Sequence, residues 1–229
     1  MPPTLKQHAY KLIRKRLLAG SIPPGGRLSD DALAKELGIS RSPVREAITQ
    51  LTSEGLVEYR PRSGAYMRVP EPREVEEWYE TRAALEGCAA LRAAGRITET
   101  QLADLRRLLG EMLDVIKACR QQPAKIADAP LRERFLELDL AFHMLILRAS
   151  GNRWIVKLVD DCRLMTTVFG HVHIEHDLRL LSRTHLGHAR ILRALAKRDA
   201  QQARRVMEAH IHLAQQAVLA GYAKVRAAV

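Results

Sequence analysis

Only three cysteines, Cys88, Cys119 and Cys162, occur in the 229 residues, an odd number at wide spacing with no CxxC pair. That argues against a disulfide framework and against a cysteine zinc knuckle, and the three are expected to be core thiols. No apolar run approaches the ~20 residues that a membrane-spanning helix requires. An unbroken hydrophobic region for secretion is also missing, because Lys11, Arg14, Lys15 and Arg16 interrupt the first twenty residues. The cytoplasm is therefore the expected compartment. Internal repeats and low-complexity tracts are absent. Acid is the scarcer charge, with 26 Asp and Glu against 37 Lys and Arg, and a net charge of +11 points to a polyanionic partner.

The excess of base is unevenly placed. Residues 1–70 hold 12 Lys and Arg against 6 Asp and Glu, whereas residues 71–229 hold 25 against 20. The pattern suggests a small nucleic-acid-binding module ahead of a larger, nearly balanced body. The boundary falls at Val69-Pro70-Glu71-Pro72-Arg73, where two prolines forbid a continuous helix. Beyond it the chain reads as helical segments broken at Gly95 to Thr98, Gln121 to Pro130, Ser150 to Asn152, His173 to Asp177, and Arg198-Asp199. The expected architecture is mainly α, with a DNA-binding domain over 1–70 and an antiparallel all-α bundle of about six helices over 71–229.

In the first domain, Leu5 to Leu18 reads as a basic amphipathic helix, stopped by the turn around Pro23-Pro24-Gly25-Gly26. Ser29 is placed to cap a short helix, Asp30 to Leu37, and Gly38 ends it. Ser42 and Pro43 read as N-cap and first residue of the next helix, which buries Val44, Ala47, Ile48 and Leu51 at i, i+3, i+4 and i+7. Helix, glycine turn and helix make a helix-turn-helix. Arg45, Thr49 and Thr52 lie on the face opposite the apolar stripe, with Arg41 before it, so the second helix is suited to a major groove. Leu56 to Arg60 and Ala65 to Val69, flanking Pro61-Arg62-Ser63-Gly64, read as a two-stranded wing that offers Arg60, Arg62 and Arg68 to the phosphate backbone. The competing reading, a basic but merely solvated face, does not account for three elements in this order with their arginines outward.

These residues resemble a known family. "LAKELGISRSPVREAITQLTSEGLVEYRPRSGAYM", Leu33 to Met67, is similar to the winged helix-turn-helix of the GntR family of bacterial transcription regulators. The resemblance implies that Ser40, Arg41, Ser42 and Arg45 contact DNA and that Gly64 forms the wing tip. It also marks a departure: Asp31 stands where some members place a further DNA-contacting arginine.

In the bundle, polar residues inside apolar stripes carry the information. On the helix from Leu131 to Ala149, Phe135, Leu138, Phe142 and Ile146 define the stripe, and Asp139 and His143 fall within or beside it, one turn apart. His188 centres the face of Leu181, Ile191, Leu192 and Leu195, and His210 that of Ala203, Val206, Met207, Leu213 and Ala217. A lone inward histidine is usually a hydrogen-bonded core residue, but three with a carboxylate are costly to bury unless they meet a cation. Asp139, His143, His188 and His210 offer three nitrogens and one oxygen to a divalent metal, with zinc the default and nickel or manganese open. Arg82 shares a face with Trp78, Leu85 and Ala89, either as an ion-pair partner of Glu86 or as an anion clamp beside the metal. His171, His173, His176 and His212 read as surface residues, and His185 as a supporting neighbour of the metal ligands.

This half resembles a family domain too. "YETRAALEGCAALRAA", "LDLAFHMLILRASGN" and "HARILRALAKRDAQQARRVMEAHI" are similar to the FCD domain, the all-α ligand-binding bundle of the fatty-acid-regulator-type subfamily of GntR proteins. The resemblance implies a metal held by Asp139, His143, His188 and His210, a small organic acid effector bound to it, and Arg82 as a carboxylate partner. The expected function is a ligand-controlled regulator of transcription, a repressor by the habit of the family, acting as a homodimer on palindromic operator DNA. Two other readings are a metal-dependent enzyme with an appended DNA-binding domain, which lacks an HExxH motif or a second carboxylate placed as general base, and a protein that compacts nucleic acid without sequence preference.

Overall fold

The computed structural model describes residues 4–18, 20–170 and 174–227, with side chains described as far as residue 223. Its chain divides into two compact units, Met1–Glu71 with Met165–Val172, and Pro72–Leu164 with His173–Val229. The first unit thus takes in a segment that its sequence position would assign to the bundle.

In the first unit, helix α1 (Leu5–Leu18) buries Ala9, Ile13 and Leu17 along one stripe. Strand β1 (Arg27–Leu28) leads into α2 (Asp30–Leu37), whose Ser29 cap accepts from the amide of Ala32. Gly38 then closes α2 in the left-handed region at φ 64°, a conformation that costs an L side chain energy and glycine none. Helix α3 (Arg41–Ser53) packs on α1 and α2 through Val44, Ala47, Ile48 and Leu51. Its N-cap is Ser40, not the predicted Ser42. Proline is tolerated throughout a first turn because no amide there needs an intrahelical partner, so Pro43 did not fix the start.

The wing is also larger than predicted. Strands β2 (Val57–Arg60) and β3 (Gly64–Met67) pair antiparallel in the register Val57 to Met67, and β1 adds a third strand on the other side of β3, giving the order β1-β3-β2. A π-helical turn, Thr166–Gly170, completes the unit with Val168 and Phe169 buried, and Arg68 lies over the Phe169 ring. Arg68 is accordingly half-buried rather than presented by the wing.

The second unit consists of α4 (Pro72–Ala94), α5 (Glu99–Gln121), α6 (Ala129–Ala149), α7 (Arg153–Met165, whose last residue belongs to the first unit), α8 (Leu178–Ala196) and α9 (Ala200–Ala227). Side-chain caps set the starts: Thr98 and Gln101 form a reciprocal capping box on α5, Asp128 caps α6, and Asp177 caps α8. The most extensive packing is α4 on α9, which the small residues Ala83, Ala90, Ala93 and Ala94 allow, while α5 packs on α6 and α8. Phe142, Ile146, Leu181, Ile191 and Leu195 are buried in the shared core, each contributing roughly 1.5–3 kcal/mol of transfer free energy. No helix among the described residues is long and apolar enough to cross a membrane.

Some expectations about single residues need correcting. Cys88 is exposed and Cys162 half-buried, so of the three thiols only Cys119 lies in the core. His176 is buried, not on the surface: the loop before α8 is drawn inward by a bridge between Ile126 and Asp177, and the His176 carbonyl accepts from the Ala127 amide at 3.0 Å. Leu213 is exposed, and Ile211 and Val218 take its place beside Met207 in the α9 core, because His210 sits at the edge of that stripe rather than its centre. His171 and His173 lie outside the described residues.

Candidate metal centre and nucleic-acid interface

Asp139 and His143 project from α6 one turn apart, His188 comes from α8 and His210 from α9. Ligand atoms of these four residues all lie within 4.8 Å of one another. His188 Nε2 is 3.2 Å from both Asp139 Oδ1 and His143 Nε2. Gly187, next to His188, makes room for this arrangement. A Cβ there would stand 2.4 Å from His210 Nδ1, so α8 accepts the imidazole of α9 only because the position is glycine.

The surroundings fix the chemistry of the cluster. Glu86 of α4 is fully buried, with Oε2 2.5 Å from His143 Nδ1 and Oε1 accepting from Arg82 Nε at 2.9 Å. Arg163 of α7 reaches both acids, donating from Nη2 to Asp139 at 2.6 Å and from Nη1 to Glu86 at 3.4 Å. Burial by itself would raise the Glu86 carboxyl, but His143, Arg82 and Arg163 outweigh it and hold the group well below the usual range. Asp139 is likewise driven well down, against burial, by His143, Arg163 and His188. Burial, reinforced by Arg163, lowers His143 to about 4, and burial with the neighbouring His188 and His143 lowers His210 well below its ordinary value.

Near neutral pH, His143 and His210 are therefore neutral and both carboxylates ionised. A proton on His143 Nδ1, donated to Glu86, leaves the Nε2 lone pair facing Asp139 and His188, the orientation a metal-binding imidazole takes. His188 Nδ1 is buried with no hydrogen-bond partner. These donors fit a divalent cation of borderline hardness, and the carboxylate behind His143 fits its supporting shell.

Other candidates are placed differently. Arg82 is buried over the Tyr79 ring and ion-paired to Glu86. His185 directs Nε2 to the Leu109 carbonyl at 3.1 Å and lies near enough to His188 for the two imidazoles to interact. The residue pattern assigns no role to Arg163, although that side chain continues the Ile155 and Val159 stripe of α7 at i+8. Nor does it single out Glu86 beyond its Arg82 pair, although Ala83 and Ala90 bracket it at i−3 and i+4 on the buried face of α4.

In the first unit, Ser40, Arg41, Ser42, Arg45 and Thr49 line the outer side of α3, and Arg62 stands at the wing turn, all of them exposed. A shallow groove runs along α3, lined by Lys6, Ser42, Arg45, Glu46, Thr49, Gln50 and Ser53. Gly64 and Arg62 both have positive φ, 102° and 64°, which gives the wing its sharp tip. Two ion pairs cross from the start of α2 to the start of α3: Arg41 to Asp31 at 2.5 Å and Arg45 to Asp30 at 2.8 Å. Arg60, also exposed, pairs with Glu58 and stacks on Tyr66.

Comparison with known proteins follows this division. Residues 5–67 match the model of the bacterial regulatory proteins of the gntR family, and residues 77–213 match the FCD domain. The HTH-type transcriptional repressor RspR of Escherichia coli (strain K12) is 29% identical over 209 residues, covering 90% of this chain and 86% of that protein. The Nta operon transcriptional regulator of Aminobacter aminovorans is 31% identical over 188 residues, 82% of each chain. Among solved structures, E. coli McbR/YncC superposes with a TM-score of 0.77 at 21% identity, covering 98% of this chain and all of that one. The fold likeness therefore spans both units.

Proposed function

The chain belongs to the gntR family of bacterial regulatory proteins and carries an FCD domain, and on that premise we propose that it is an operator-binding repressor controlled by a small organic acid held at a divalent metal. Regulation of transcription is the activity of the family, and the matched relatives are regulators rather than enzymes. Repression is the sign carried by relatives such as RspR and the gluconate operon transcriptional repressor of Bacillus licheniformis.

The observation that supports the metal is the convergence of three inward imidazoles and Asp139, with Glu86 behind His143. Asp139, His143, His188 and His210 would hold it, with zinc first and nickel or manganese as alternatives. When bound, such an ion supplies a Lewis-acidic position for a carboxylate oxygen. Arg82 and Arg163 offset the charges of Glu86 and Asp139, so these four residues together add no net charge to oppose an anion. Arg82 would meet the acid's second polar group. An effector moves the protein between states only by as much as its affinity for them differs, so the acid must bind one arrangement of the bundle more tightly. One α3 offers few base contacts, and a homodimer on a palindromic operator supplies a second set.

The test is thermal unfolding of metal-stripped and metal-restored protein against small mono-, di- and hydroxycarboxylic acids, since a ligand that favours the folded state raises the melting temperature. Stabilisation by an acid only in the metal-restored arm supports the reading. Stabilisation by metal with no acid effective limits the site to a structural role, and no effect of metal reduces the four residues to a polar core.

A further inference from the structure

The acids at the start of α2 have an ordinary role, since Asp30 and Asp31 sit in the first helical turn where negative charge is favoured. That role does not require a carboxylate to reach another helix, yet Asp30 Oδ2 lies 2.8 Å from Arg45 Nε. The two members of this pair are unequally placed: the Asp30 side chain is 20% exposed and that of Arg45 66% exposed. The acid is the more buried member of the pair, at the first residue of α2, and the guanidinium is the exposed one. In the neighbouring pair, Arg41 and Asp31 are 63% and 64% exposed, so neither member anchors the other.

We propose that Asp30 is a positioning residue for Arg45: by holding Nε it presents the two Nη groups of the guanidinium to the edge of a guanine, and so helps set which base α3 reads. Guanidinium donors form a rigid planar fork, so fixing one edge fixes the direction of the other. Guanine offers O6 and N7 to such a fork in the major groove, and no other base presents two acceptors there. The pair also cancels the charge at the tip of Arg45. Its interaction is thereby shifted from general attraction to phosphate toward choice of base. Holding the side chain in place before binding lowers the ordering cost on DNA. This inference rests on the reading of α3 as the element that enters the groove.

The experiment uses the full chain and a duplex that the wild type selects from a random pool. Anisotropy titrations at fixed salt then compare that duplex, single base-pair replacements of it and a scrambled duplex, for wild type, Arg45→Ala, Asp30→Ala and Asp30→Asn. Arg45→Ala should flatten the preference at one G·C pair. Asp30→Ala should reduce the preference at that same pair about tenfold while leaving affinity for the scrambled duplex unchanged or raised. Asp30→Asn keeps an oxygen that accepts from Nε and should keep most of the preference, which also separates positioning from any loss of fold in the alanine variant. If Asp30→Ala shifts every duplex by one common factor, Asp30 is only a charge at a helix end and the proposal is overturned. Base preference intact at every position in Arg45→Ala would remove Arg45 as a reading residue, and the proposal with it.

Discussion

A methyl group at Gly187 perturbs the cluster of Asp139, His143, His188 and His210 without removing any of the four side chains. The added Cβ would lie 2.4 Å from His210 Nδ1 and 3.3 Å from Cγ and Cε1 of the same ring, where contact needs about 3.5 Å, so the imidazole must retreat by about 1 Å. Gly187 lies inside α8, and alanine there gains about 1 kcal/mol of helix propensity. Crowding a packed site costs about 1–3 kcal/mol. The metal-free variant should therefore lose no more than about 2 kcal/mol, a few degrees of melting temperature in a chain of this length. Metal binding should suffer far more, because ligand distances tolerate only about 0.2 Å. A displaced His210 predicts a loss of at least 10–100-fold in affinity, the size seen when ligand orientation is disturbed. Competition of zinc between Gly187→Ala and a chromogenic chelator measures this, beside melts of both metal-free proteins. Wild-type zinc affinity in a variant that melts normally would refute the assignment of His210 as a ligand held in place by the glycine.

Three further outcomes follow from the same geometry. His143→Ala and His210→Ala should lower bound metal, measured by elemental analysis, and abolish the response to acid while operator binding persists; normal metal content in both would remove the site. Glu86→Gln takes the shared charge from two buried arginines and should cost about 3–5 kcal/mol in urea unfolding, whereas a loss under 1 kcal/mol, like that of an exposed pair, would contradict the buried network. In metal-free protein, His143 and His176 are each held near 4, chiefly by burial, with Arg163 acting on the first and Arg132 on the second. The unfolded chain binds these protons near 6.5, so stability is complete above that pH and falls as pH drops toward 4, by up to about 1.4 kcal/mol per pH unit for each histidine. Glu86 and Asp139, held low, extend the loss at still lower pH. Urea midpoints that stay flat between pH 6.5 and 5 would show that neither histidine is held neutral.

What could be read from the residues, and what could not, has physical causes. Gly38 and Ser29 mark the ends of α2 because a left-handed residue and an oxygen cap are local requirements with few alternatives. Pro43 does not locate the start of α3, because proline fits any position of a first turn, and the two residues of β1, Arg27 and Leu28, carry too little periodicity to mark a strand. Asp139 and His143 stand out against Phe135, Leu138 and Phe142 on one helix, as His188 does against Leu181 and Ile191. Glu86 is harder to find because α4 is rich in small residues and buries several faces, so an apolar stripe does not isolate it. Arg163 was legible in principle, yet a single arginine at the end of a stripe usually reaches solvent. That it turns inward depends on Asp139 and Glu86, which come from two other helices. His176 belongs to the same class: its burial follows from the bridge between Ile126 and Asp177, a contact no local pattern encodes.

The charges of the cluster bear on the proposed coupling of an acid effector to a metal. Arg82 and Arg163 stand against Glu86 and Asp139, and His143 and His210 are neutral at pH 7. With its carboxylates already matched, the set holds no surplus positive charge to attract an anion. A divalent cation changes that balance by two units, and a carboxylate on the cation restores it in part. An acid that binds equally well with and without metal would therefore be using Arg82 alone, at the expense of its pair with Glu86. Such an acid should bind Glu86→Gln protein more tightly than wild type, whereas one that needs the metal should bind it more weakly, since Glu86 orients His143. The sign of that single change separates an arginine site from a metal site within the same bundle.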